Sequence, residues 1–225
     1  KSKVEKRIKE VDSYFADLSQ AAVDYKIQEK ANKTDNAKLT DAKNKYEYLY
    51  KNSELLAGLT IVPDGENVEE GTIITPYATI SDVEVFKPTL YYDKWTAMYV
   101  MKGSWDWNFN PDISPGGYDG FGLKAVQRKV SVLDSTLYTY NSSGTNTSHS
   151  YSRDAGSYGV GFKFQDRSSG ASYSGHAGSG FMYFKWYSGT PTGYAVNYRS
   201  TYAHSWKTTT LNGFDIGADS FGLSW

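Results

Sequence analysis

Seven residues near the middle of the chain, Asp106-Trp107-Asn108-Phe109-Asn110-Pro111-Asp112, interleave two kinds of side-chain chemistry. Asp106, Asn108, Asn110 and Asp112 put oxygen donors at i, i+2, i+4 and i+6. That is the spacing of the first half of a calcium loop, so Ca²⁺ is the one cofactor the pattern suggests. The rest of that signature is absent. Pro111 stands where a glycine would make the turn, and Gly117 where a bidentate glutamate would close the shell. The polar face of a strand entering an Asn-Pro-Asp turn has the same spacing.

The interleaved rings suit another task. Trp105 and Trp107 share a strand face just ahead of the loop that carries Tyr118. Flat rings beside Asp and Asn side chains suit sugars, which offer C–H faces to a ring and hydroxyls to polar groups. Trp105, Trp107 and Tyr118 are therefore the expected contacts for a glycan or cell-surface ligand. The competing expectation is that these rings fill a core between sheets.

Motifs for catalysis are missing. The chain has no cysteine, no GxSxG elbow, no P-loop and no HExxH. Its three histidines are scattered. His149 and His176 would need to meet Asp154 or Asp166 in space to make a triad or zinc site. His204 is in phase with Tyr202 and Trp206 and reads as a strand residue with a satisfied ring. The balance is against an enzyme.

The elements that position these residues fall into two blocks. The first 57 residues contain none of the 21 glycines, six prolines or six tryptophans. Val4, Ile8, Val11, Phe15, Leu18, Ala22 and Tyr25 follow alternating spacings of four and three, a coiled-coil-type seam. Leu39, Ala42, Tyr46, Leu49, Ser53 and Leu56 continue the rhythm beyond the turn-forming stretch 31–36. Residues 1–57 are thus expected to form a two-helix antiparallel hairpin, over 2–30 and 36–57, closed by Gly58 as C-cap. Its seam either packs on the rest of the chain or serves self-association or a partner helix.

Residues 58–76 read as a linker with an edge strand, because Pro63 and Pro76 do not suit a central one. From 77 to 225, period-two alternation dominates: Trp95, Ala97, Tyr99 and Met101 lie on one face, and Lys94, Thr96, Met98, Val100 and Lys102 on the other. About eight such runs separated by Ser/Gly/Asn/Asp turns predict an all-β antiparallel sandwich or barrel, and an α+β chain overall. The motif Asp119-Gly120-Phe121-Gly122-Leu123 returns as Asp219-Ser220-Phe221-Gly222-Leu223, which reads as shared turn chemistry.

A net charge of −1 gives no global field for nucleic acid, and mean hydropathy of −0.58 leaves no apolar run able to span a membrane as a helix. The Ser/Thr/Tyr/Gly-rich strands favour a secreted or cell-surface location. The leading expectation is a non-catalytic surface-binding protein that recognises a glycan or cell-surface ligand through exposed aromatics. One alternative is a pore-forming toxin, since the strands around the polar stretches of 141–180 resemble a membrane-inserting hairpin. The other is a structural protein of a surface layer or phage particle.

Overall fold

The computed structural model describes residues 2–31, 36–63, 72–74, 82–108, 118–148, 151–166, 173–189, 197–205 and 211–224. Three helices come first: α1 (Lys3–Ala31), α2 (Asn36–Lys51) and α3 (Ser53–Ala57). Twelve strands follow among the described residues: β1 (Leu59–Ile61), β2 (Thr72–Ile74), β3 (Val83–Asp93), β4 (Met98–Trp107), β5 (Tyr118–Ala125), β6 (Val130–Tyr140), β7 (Tyr151–Ala155), β8 (Gly159–Gln165), β9 (Ala177–Trp186), β10 (Tyr198–Ala203), β11 (Gly213–Ile216) and β12 (Phe221–Ser224). One sheet has the order β1-β3-β4-β9-β6 and a second β2-β10-β5-β8-β7, with β11-β12 a separate hairpin. The fold is therefore α+β, helices followed by a sandwich. The expected edge strand in the linker is β1, antiparallel to β3, while β2 adds parallel to β10.

Alternation along β4 decides which residues meet. Tyr99, Met101, Trp105 and Trp107 point into the sandwich, where they join Phe121, Leu123, Phe162, Phe164 and Tyr202 of the second sheet. The sheets approach closely at Gly103, where an added Cβ would lie 2.6 Å from Leu123. Met98 and Val100 point the other way, under the helices. Trp95 and Ala97, expected in the same strand, instead form the β3–β4 turn, with Ala97 at φ 52. The register of β3 on β4 shifts between Phe86 and Thr89, around Pro88, because proline cannot donate to the ladder.

The α1 seam is consumed inside the chain. Ile8, Val11, Phe15 and Leu18 are buried against Tyr91, Met98, Val100, Phe181 and Tyr183. A one-stripe helix is marginal alone and gains its stability from such packing, so α1's stripe is not available for self-association or a partner helix. Polar contacts fix its position. Arg7 donates to Asp93 Oδ1 from Nη2 (3.0 Å), and Tyr138 and Tyr183 each donate to Asp12 (2.7 Å). Near the other end Lys30 meets Asp106 at 2.5 Å.

The second seam keeps phase to Ser53 and loses it beyond the helix break at Asn52. Ser53 and Ala57 turn inward while Leu56 is 42% exposed. Gly58 then caps the helix in the left-handed region at φ 65, donating to Glu54 O.

Behind the second sheet, the β11–β12 hairpin sits on a floor of glycines. An added Cβ would lie 2.3 Å from the Phe214 ring at Gly161 and 2.0 Å from the Phe221 ring at Gly122. The two copies of the repeated motif thus meet face to face. Lys124 ties the hairpin down by donating to Gly217 O (2.7 Å) and Ser220 O (2.8 Å). Gly161→Ala is expected to cost about 1–3 kcal/mol through overpacking. Amide exchange should rise in residues 213–224 while the inner strands stay protected; unchanged exchange there would contradict this account of the glycine floor.

Candidate functional site

Trp105 and Trp107 are core residues, each 1% exposed. Trp105 packs on Phe121 (4.8 Å between centroids) and Phe164 (5.3 Å) and donates to Gly175 O at 3.0 Å. Trp107 donates to the Tyr202 hydroxyl at 3.2 Å. The strand phase that aligns them with Met101 carries them inward, so the expectation that they contact ligand is overturned. Tyr118 remains 40% exposed, with the Lys163 ammonium 5.2 Å above its ring.

Of the four residues of the calcium expectation, Asp106 and Asn108 are described. Asp106 lies on the outer face of β4, and its carboxylate is engaged by Lys30, with His176 Nε2 at 3.8 Å. Asn108 is exposed, and Asn110 and Asp112 lie outside the described residues, as does His149. A carboxylate held by an ammonium at one end of the run is not presented to a cation.

The structure instead collects a buried polar hub that sequence reasoning missed. Asp119, at 0% exposure, accepts from the Tyr202 hydroxyl, the Ser205 N–H (3.0 Å) and His204 Nδ1 (2.9 Å to either oxygen). Burial would lower the His204 pKa, but the charge of Asp119, its hydrogen bond and the charge of Asp166 outweigh it and raise the pKa above the usual value. His176 goes the other way, lowered by burial and by Lys30 against the pull of Asp106.

Asp119, Asp166 and His204 offer carboxylate and imidazole donors within 4.8 Å of one another, a plausible donor set for a divalent cation. Both Asp119 oxygens already accept hydrogen bonds, and the His204 Nδ1 proton points at that carboxylate. With His204 at 4% exposure, the hub is a charge-assisted clasp closed to solvent. Asp166, one of the two acids that a His149/His176 site would have needed, belongs to this His204 group.

An open hollow lies where three connections converge. The β5–β6 turn, the β7–β8 connection and the end of β9 are tied by Ala125 N–H to Tyr158 O (2.8 Å), Val130 N–H to Ser157 O (2.7 Å) and Tyr187 N–H to Lys129 O (3.1 Å). The hollow has a volume of about 410 Å³ and is lined by Gln127, Arg128, Lys129, Tyr158, Trp186, Tyr187 and Ser188. Trp186 is anchored from below, edge-on to Phe184 at 5.0 Å and 5.7 Å from Tyr99. Tyr187, next in the chain, is 73% exposed. The aromatic core thus runs out to the surface at this point. Among the described residues that line it none is acidic, and two are cationic. Such a surface can stack one ring-shaped group and pair with hydroxyls or a negative charge. The sequence signal was an aromatic pair at a strand end, Trp186-Tyr187, followed by the Ser-Gly turn; nothing local linked it to Arg128 or Tyr158.

No known protein family matches the chain, and neither does any curated protein.

Proposed function

We propose that this is a non-catalytic binding protein, exported to a cell surface or its surroundings, that holds a glycan in the hollow formed by Tyr158, Trp186, Tyr187, Arg128 and Lys129. The observation that carries the proposal is Tyr187, a large ring left 73% exposed beside a half-buried tryptophan in a concave, cation-lined surface. What supports a binding role is the setting, an exposed ring adjoining a second ring in a concavity rimmed by polar side chains. The cations favour sugars bearing carboxylate or sulfate groups over neutral ones. The strands around the polar stretches of 141–180 are paired within the sandwich, β6 and β9 in one sheet and β7 and β8 in the other, and this pairing lends the pore-forming reading no specific support.

A glycan array read with wild type and Tyr187→Ala tests the proposal. Wild type should retain acidic glycans, and Tyr187→Ala should lose about tenfold or more in affinity, as expected of an aromatic hot spot. Tyr118→Ala, remote in sequence and on another strand, should bind as wild type does. No glycan retained by wild type, or full retention by Tyr187→Ala, would overturn the reading.

A further inference from the structure

A second cavity, independent of the hollow, lies between the helices and the first sheet. It has a volume of about 220 Å³. Tyr25 and Lys26 reach it from α1, Tyr46 and Tyr50 from α2, Phe86 from β3, and Lys102 from β4. The tyrosines form a stacked wall, with Tyr25–Tyr46 and Tyr46–Tyr50 centroids each 6.0 Å apart at interplanar angles of 20° and 29°.

Lys102 continues the outward row Met98–Val100, where the helices would otherwise demand an apolar residue. It is 8% exposed, lines the cavity, and has no hydrogen-bond or ion-pair partner among the described residues. Burial alone lowers its pKa to about 8, so near neutral pH it remains largely an ammonium held out of water without a counter-ion. Lys26, across the cavity, is already committed: it pairs with Glu29 (3.3 Å) and Glu84 (3.9 Å) and lies 5.2 Å above the Phe86 ring.

We propose that this cavity is a binding site for a small aromatic monocarboxylate, its ring between the tyrosine wall and Phe86 and its carboxylate on Lys102. The ring class follows from the four aromatic walls. The single charge follows from one uncommitted ammonium with Glu29 and Glu84 close by, which leaves a dianion short of neutralisation. The volume falls below the ~300–1,000 Å³ of drug-sized pockets, which limits the ligand to one ring with a short acid arm.

Calorimetric titration with 3-phenylpropionate, its amide and phenyl phosphate tests this on wild type, Lys102→Met and Lys102→Arg. Wild type should bind the carboxylate saturably, at least tenfold tighter than the amide or the phosphate. Lys102→Met should lose that preference, and Lys102→Arg should keep part of it. Affinity should fall as pH rises past about 8. Among the described residues the other titratable or charged groups facing the cavity are Tyr25, Lys26, Tyr46, Tyr50 and Lys87, and Tyr46 is itself shifted upward by burial. Thermal melts establish that each variant is folded before binding is read. Equal binding of acid and amide, wild-type affinity in Lys102→Met, tighter binding of the phosphate, or no saturable binding would each overturn the proposal. Glycan binding through Tyr187 is read separately, so the two proposals fail independently.

Discussion

Replacing Asp119 with alanine is expected to destabilise the protein by about 3–5 kcal/mol, the cost of breaking a buried charged pair by removing one partner. Three groups lose their acceptor at once: the Tyr202 hydroxyl, His204 Nδ1 and the Ser205 N–H. His204 and Ser205 are each 4% exposed, so water does not readily replace the carboxylate. Asp119→Asn separates charge from shape. The folded pKa of His204 is raised, so the stability it contributes is complete below its unfolded value near 6.5 and is lost as pH rises through the folded value. Without the carboxylate, burial makes protonated His204 a cost. The stability gap between wild type and Asp119→Asn should therefore widen from pH 8.5 to pH 5.5. His176, with its lowered pKa, loses stability on acidification in both proteins and cancels in the difference. Urea denaturation at the two pH values measures the gap, and a gap that is flat or narrows on acidification would sink the assignment of charge to this pair.

Phe15→Ala should cost a similar amount, about 3–5 kcal/mol, through the cavity it leaves. Phe15 is 0% exposed and packs on Phe181 (4.6 Å), Tyr91 (5.1 Å) and Tyr183 (6.4 Å). It is the centre of the contact that holds the helices to the sheet, so amide exchange should rise along α1 and α2 while the inner sandwich stays protected. Leu56→Ala supplies the contrast. By heptad counting Leu56 belongs to the same kind of seam, yet its side chain is 42% exposed, and the variant should lie within about 0.5 kcal/mol of wild type. Equal losses at Phe15 and Leu56 would mean that the seam runs unbroken through Asn52. Denaturation curves for both variants decide it.

The reach of sequence reasoning follows the range of the interactions involved. Val11, Phe15 and Leu18 were legible as a seam because a helix repeats every 3.6 residues, and the outward row Met98, Val100 and Lys102 because a strand repeats every two. Neither period says what lies opposite. The alternation that put Trp105 and Trp107 on one strand face was read rightly, but whether that face met water or a second sheet depended on β5, β8 and β10 arriving across from it. The same holds for Asp106: its spacing resembled a cation loop, and its partner turned out to be Lys30, 76 residues earlier.

Helices before position 57, strands after 58 and a capping glycine between them were determined by the chain alone, because glycine, proline and side-chain period act over a few residues. The tertiary structure decided which rings are sealed and which stay wet, that α1's stripe is spent on the sheet, and that Lys102 ends beside a cavity with no counter-ion. The lack of a counter-ion for Lys102 holds among the described residues. All of these outcomes depend on residues that packing brings together from distant positions, and local periodicity carries no information about which distant surfaces will meet.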